Sequence, residues 1–176
     1  MSNVFTYQVL KDTTEKAVIK LTGSFDGTNG QESNVVRIRA NSLYGALDSS
    51  KANLLSSSAN TGPLSYYGLS IHRIWYDCTN PGASDVELFW NAATPQTIAM
   101  VSGTFEYDGN ANWVTIPNNA AGTSGCVGDI GIRTRGMAAN NSYTIVMELR
   151  KDNSMYQRGQ FNDPAAFNYP PYGVTP

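Results

Sequence analysis

Charged residues and histidine are scarce in this chain. Of its 176 residues, 15% are charged and one, His72, is a histidine, whereas soluble domains usually carry about 25% charged residues. The net charge is −2 and no stretch forms a basic patch, which argues against direct nucleic-acid binding. Ser, Thr, Asn, Gly and Tyr take the place of the charges, and a surface of such residues suits broad contacts with proteins or sugars.

Cysteines and long apolar runs are also few. The chain has two cysteines, Cys78 and Cys126, which are too few for a disulfide scaffold, and we expect both to be reduced and largely buried. No apolar run approaches the ~18 residues of a membrane span, so no membrane association is expected. The first residues lack the basic and apolar regions of a signal peptide, which predicts synthesis in a cytoplasm.

Motifs for catalysis and for metal binding are missing. His72 has no second histidine and no cysteine at a spacing that would bind zinc. Serine hydrolases carry their nucleophile on a sharp turn within Gly-x-Ser-x-Gly, and this string does not occur. Neither a phosphate-binding loop nor Gly-x-Gly-x-x-Gly is present. We therefore expect no enzymatic activity, no cofactor and no bound metal.

The acidic residues do not form a recognisable site either. A glycosidase needs two carboxylates facing each other across a sugar, and Asp85, Glu87, Glu106 and Asp108 show no sign of such pairing. Glu87 alternates with apolar neighbours, which predicts a side chain facing solvent. Residues 108–112 resemble the start of a calcium loop but lack its sixth-position glycine and twelfth-position glutamate, so a hairpin turn accounts for them better.

Alternation of apolar and polar residues dominates the chain and predicts strands. Turn signals separate these segments every 8–15 residues, and only residues 41–55 (Asn41 to Leu55) suggest a helix. Eight or nine short strands with one helix predict an all-β fold, an antiparallel β-sandwich that is jelly-roll-like. The predicted strands span 4–10, 17–23, 35–40, 66–78, 85–91, 97–107 with a break at Ser102-Gly103, 113–116, 127–135 and 142–150.

Within these strands, the alternation also predicts which side chains face outward. Arg37 and Arg39 are expected to face solvent. Trp90 shares an apolar face and is expected in the core. Trp75 and Trp113 are better candidates for exposure, and exposed rings could form a sugar-binding platform.

Residues 151–176 follow the last predicted strand and show neither helical nor strand periodicity. They nevertheless contain five aromatic residues and four prolines. Disordered tails are normally poor in aromatics, while proline pre-sets an extended path. We therefore predict a sandwich domain over 1–150 and an extended docking arm over 151–176.

The arm has two placements, one on its own domain, where it would cover an open sheet edge, and one on a neighbouring subunit. The second is our prediction, because extended segments commonly bind to other chains. The aromatic side chains would supply apolar burial and the charged ones polar contacts at the rim. The predicted partner-binding residues are Arg150, Tyr156, Arg158, Phe161, Asp163, Phe167, Tyr169 and Tyr172.

Both ends of the chain resemble a known family. The segments that carry the resemblance are VLKDTTEKAVIKLTG at 9–23, NVVRIRANSL at 34–43, ELRKD at 148–152, and GQ followed by DPAAFN within 159–168. They are similar to small β-rich virion structural proteins of tailed bacteriophages, particularly phages of aquatic bacteria such as cyanobacteria. This group in turn resembles capsid decoration, or cement, proteins, which bind the outside of the head lattice.

The resemblance implies a non-enzymatic virion protein that stabilises the phage head through protein–protein contacts. Its partners would be the major capsid protein or other virion subunits, in repeated copies or as a homo-oligomer. Pro164 would kink the arm and Phe167 would fill a pocket. The alternatives are a tail, neck or baseplate protein, and a carbohydrate-binding module of a receptor-binding protein.

Overall fold

The computed structural model describes residues 2–28, 30–47, 66–79, 83–109, 114–151 and 156. This part of the chain is nearly all β, and it confirms the predicted all-β sandwich. The strands are β1 (Val4–Asp12), β2 (Lys16–Ser24), β3 (Val35–Ile38), β4 (Leu69–Cys78), β5 (Asp85–Trp90), β6 (Gln96–Val101), β7 (Gly103–Asp108), β8 (Ile130–Arg135) and β9 (Ser142–Lys151).

The pairing of these strands follows one long hairpin that is folded over on itself. β5 pairs with β6, β4 with β7, β3 with β8 and β2 with β9, all antiparallel. The wrapped hairpin gives two sheets of order β1-β2-β9-β4-β7 and β3-β8-β5-β6. Without β1, this is the eight-stranded jelly roll, and β1 extends the first sheet at one edge.

The core lies between the two sheets and contains alternate residues of each strand. Ala17, Ile19 and Leu21 of β2 are buried, as are the alternate residues of β9 that they pair with. Trp90 is fully buried, as its apolar strand face predicts. Both cysteines are free thiols, with Cys78 buried and Cys126 partly exposed.

The predicted helix over 41–55 is wrong where the structure describes it. Residues 40–42 (Ala40–Ser42) form a short 3₁₀ turn, and Gly45 has a φ of 75°, a left-handed conformation that would end a helix. Leu43 and Ala46 are nevertheless fully buried, so the leucine spacing reflects packing of an irregular segment. Residues 48–55 lie outside the described part.

The break predicted at Ser102-Gly103 separates two strands that belong to different sheets. β6 lies at the edge of the second sheet and β7 at the edge of the first, and Gly103 has a φ of 73°, which favours glycine. Trp113, at the start of another predicted strand, lies outside the described residues. Ile116 of that segment forms an isolated bridge with Ile71.

Candidate binding surfaces

The last strand ends in a buried lysine. The side chain of Lys151 is 0% exposed, and its Nζ lies 2.6 Å from Oδ1 of Asp12. Nζ also donates to the carbonyl oxygens of Thr13 and Tyr44, so three donors meet three acceptors. Burial lowers the pKa of Lys151, although the bond to Asp12 opposes that shift. The end of β9 is thereby attached to the end of β1.

Tyr156 packs beside this lysine. The residue is 2% exposed, its hydroxyl donates to the carbonyl oxygen of Ala40 at 2.8 Å, and its ring centroid lies 5.5 Å from that of Tyr67. Nζ of Lys151 lies 5.1 Å from the ring centroid, within cation–π range. Burial raises the pKa of Tyr156, which keeps the hydroxyl protonated as a donor.

These contacts correct the interpretation of Tyr156. The aromatic C-terminal segment predicts that this ring contacts a partner, but the structure places it within the core of its own domain. Arg150 is exposed on β9, opposite Lys16 of β2 and Ser70 of β4. The remaining predicted partner-binding residues lie outside the described part, and their role stays a prediction: Arg158, Phe161, Asp163, Phe167, Tyr169 and Tyr172.

β1 carries four of the exposed large hydrophobic residues, more than any other described strand. β1 pairs with β2, and no strand among the described residues pairs with its other edge. Val4 is 58% exposed, Tyr7 42%, Val9 44% and Leu10 50%. Arg37 of β3, in the second sheet, lies over Phe5 of β1, while these four residues stay exposed.

A smaller apolar area lies at the opposite edge of the first sheet. Phe105 of β7 is among the exposed large hydrophobic residues, and its ring lies 6.0 Å from that of Tyr76. Met100 is exposed separately, on β6 at the edge of the second sheet. Single exposed apolar residues are normal on protein surfaces. This area is therefore weaker evidence of binding than the β1 edge.

Glu87 corrects another prediction. The sequence predicts a solvent-facing side chain, but Glu87 is buried under two arginines of the neighbouring strand β8. Its Oε2 accepts from Arg135 at 2.8 Å and from Arg133 at 3.1 Å, while its Oε1 accepts from the hydroxyl of Thr97 at 2.7 Å. The carboxylate is held by three donors, an arrangement that stabilises the outer face of the second sheet.

Arg37 is also placed differently from its prediction. It donates from Nε to Oε1 of the buried Glu32 at 2.7 Å, and its guanidinium lies 4.6 Å from the ring centroid of Phe5. The hydroxyl of Tyr143 donates to the other oxygen of Glu32 at 2.7 Å. Burial and the Glu32 carboxylate both raise the pKa of Tyr143. Arg39 is exposed, as predicted.

Trp75 lies on the outer face of the first sheet, partly exposed. The guanidinium of Arg73 is 5.1 Å from its ring centroid and donates to Asp108, with Glu106 at 3.9 Å. The bond to Asp108 raises the pKa of Arg73. Asp108 and Glu106 both pair with Arg73, and Arg73 lies against the ring of Trp75. The contacts within this cluster are therefore made among its own four side chains. Trp113 lies outside the described residues.

His72 has a carboxylate neighbour that the sequence did not indicate. Its Nδ1 is 3.6 Å from Oε1 of Glu148, and Nζ of Lys16 is 3.0 Å from the same oxygen. Burial alone would raise the pKa of Glu148, but the bonds from Lys16 and His72 outweigh it and lower that pKa. The three side chains link the outer faces of β2, β9 and β4.

Among the described residues, no group of three or more His, Cys, Asp or Glu side chains is arranged to hold a metal ion. Within the same part of the chain, no helix is long and apolar enough to cross a membrane. Comparisons with family models, curated proteins and solved structures found no match.

Proposed function

We propose that this protein is a non-enzymatic virion structural protein, and most specifically a decoration protein that binds and stabilises a phage head. The jelly-roll topology is compatible with this role, because viral capsid and lectin domains use it. A fold alone does not determine a function. The proposal therefore depends on where the protein can bind other subunits.

The observation that carries the proposal is that the beginning of the C-terminal arm is attached to the domain. Lys151 and Tyr156 are buried and attach the chain to Asp12 and Ala40. The segment 157–176 therefore follows a residue that is packed in the core of the domain. A binding segment with one end held in place loses less conformational freedom when it docks.

The arm would bind through its aromatic side chains. Phe161, Phe167 and Tyr169 would each contribute about 1.5–3 kcal/mol if fully buried on another subunit. Polar contacts of Arg158 and Asp163 at the rim would add less, since exposed ion pairs are worth about 0–1 kcal/mol. The partners that fit are the major capsid protein or other virion subunits, present in repeated copies in the virion after synthesis in the host cytoplasm.

The alternatives share part of this argument. A tail, neck or baseplate protein would use the same fold and arm in another part of the virion. A carbohydrate-binding module of a receptor-binding protein would need an open aromatic platform. Arg73 lies against Trp75, which leaves less of that ring free to stack on a sugar.

Particle fractionation tests the proposal. Virions from the native source would be purified on a density gradient, and the protein quantified by mass spectrometry relative to the major capsid protein. We expect a fixed ratio of this protein to the major capsid protein, with many copies per particle. Particles from which the protein has been stripped should be less stable. Its confinement to the fractions without particles would overturn the proposal.

A further inference from the structure

We propose that β1 pairs antiparallel with β1 of a second copy of this chain, in a register centred on Tyr7. The two first sheets would then form one continuous ten-stranded sheet across a twofold axis. The inference rests on β1 alone and goes beyond the proposed virion role, on which it does not depend.

An exposed sheet edge is normally protected against pairing with other chains. Charged side chains, prolines and bulges are the usual protection. Residues 4–10 read VFTYQVL, with no charge, proline or glycine. The one register shift against β2 falls at Leu10, between Val9 and Lys11, so the run from Val4 to Val9 has no bulge. Four of these seven residues are large, apolar and at least 42% exposed. Such an edge favours a partner strand.

The sequence of β1 is nearly self-complementary when it is read in both directions from Tyr7. Apolar residues meet apolar residues and polar residues meet polar ones, which is the arrangement that stabilises antiparallel pairs. The pairs across the axis would be Tyr7 with Tyr7, Thr6 with Gln8 and Phe5 with Val9. Leu10, at the register shift of β1, would lie near Val4 of the second copy.

The charges beyond this segment favour the same register. Beyond the register shift at Leu10, Lys11 and Asp12 would lie near the polar residues Ser2 and Asn3 of the second copy, so that no like charges meet. A register centred on Gln8 would instead bring both charges closer to Phe5 of the second copy.

A register centred on Thr6 would set Val4 against Gln8 and Val9 against Asn3. Registers in which an odd residue faces an even one would join the core face of one copy to the outer face of the other. The register centred on Tyr7 avoids all of these mismatches.

A second copy fits this edge better than the arm does. Residues 157–176 contain four prolines, and each lacks the N–H donor that a strand pair requires. β1 offers nine residues without a proline. Because a single strand pair buries less than the ~1,200 Å² of a standard interface, the dimer is expected to be reversible and dependent on concentration.

Cysteine substitutions in the full chain test both the contact and its register. Tyr7→Cys should form a disulfide-linked dimer on mild oxidation, because facing Cα atoms in antiparallel strands lie about 4.5–5.5 Å apart. Thr6→Cys alone should not, since its two copies would lie about 8 Å apart. A mixture of Thr6→Cys and Gln8→Cys chains should cross-link again. Wild type provides the control for Cys78 and Cys126.

Analytical ultracentrifugation gives a second measurement without oxidation. Wild type should show a reversible dimer, and Tyr7→Lys should weaken it at least about tenfold by placing like charges opposite each other. Met100→Lys, at an exposed apolar residue of β6, should leave it unchanged. Failure of Tyr7→Cys to cross-link, or a dimer that withstands Tyr7→Lys, would overturn the inference. So would dimerisation that appears only after removal of 157–176, since the arm would then occupy the edge.

Discussion

Glu87 is buried although alternation along its strand predicts exposure. Glu87 does lie on the outward face of its strand, but the long side chains of Arg133 and Arg135 cover it. Alternation indicates which face a residue occupies, whereas cover on the outer face depends on the neighbouring strand. Strand order is set by the whole topology, so a local pattern does not contain it.

Tyr156 offers the sharpest test at a single residue. Tyr156→Ala should lower the free energy of unfolding by about 3–5 kcal/mol, because it removes a large buried ring. Tyr156→Phe keeps the ring and loses the hydrogen bond to Ala40, and should cost about 1 kcal/mol. Urea denaturation followed by circular dichroism measures both. Equal stability of Tyr156→Ala and wild type would remove this residue from the core.

Glu148 predicts how stability responds to acid. The pKa of Glu148 is lowered from the ordinary value of 4.5 in the folded protein. The ionised side chain therefore contributes fully to the free energy of unfolding at pH values above 4.5. The contribution is lost as the pH falls through the lower folded pKa. Glu148→Gln should therefore reduce stability at neutral pH and bring the variant and wild type together in acid. Thermal melts at a series of pH values measure this difference.

The same charge change at the exposed Glu15 serves as the control for Glu148. Glu15→Gln should not reproduce the difference between neutral and acidic pH. A constant gap between wild type and Glu148→Gln across the pH series would contradict the role of Lys16 and His72.

Strands were largely predictable from the sequence, because each alternates over several residues between turn signals. Segments without regular alternation are not predictable in this way, and residues 41–47 are an example. Leu43 and Ala46 are buried without a helix, since the segment is held by contacts with distant residues such as Asp12 and Tyr156. A helical spacing of leucines does not distinguish these two causes.

Glycines inside strands mark close contacts between elements. A Cβ built on Gly23 of β2 would lie 2.3 Å from the ring of Tyr143 on β9. Gly23→Ala should therefore lower the free energy of unfolding by about 1–3 kcal/mol, as overpacking does. Gly30→Ala is the matched control, because nothing lies within 4 Å of its Cβ. Chemical denaturation of both variants checks the prediction, and equal stability would contradict this packing.

For the whole molecule, the sequence predicts a domain boundary between 150 and 151, and the fold shows that some residues after it pack with the domain. β9 continues to Lys151, and Tyr156 belongs to the core, although both follow the predicted boundary. The sequence indicates an aromatic tail, but it does not indicate that the first ring of that tail, Tyr156, packs in the core of its own domain. The sequence also does not indicate that β1 has an open edge, because the position of a strand in a sheet depends on the strand order of the whole fold.

Two truncations separate the anchor from the rest of the arm. A chain ending after Asp152 loses the buried Tyr156 and should be destabilised by an amount similar to Tyr156→Ala. A chain ending after Gln157 keeps that ring and should melt close to wild type while binding to virions is lost. Phe167→Ala should weaken binding with little change in melting temperature. Unchanged occupancy of the chain ending after Gln157 on particles would contradict docking by the arm.

The measurement that tests the central proposal most directly is a cryo-electron microscopy map of purified virions from the native source. The proposal predicts a jelly-roll domain in repeated copies on the outside of the head, with residues 157–176 in contact with another subunit. Copies confined to the tail, neck or baseplate would contradict decoration of the head and keep a structural role. A map of the intact virion without this chain would contradict the virion function itself.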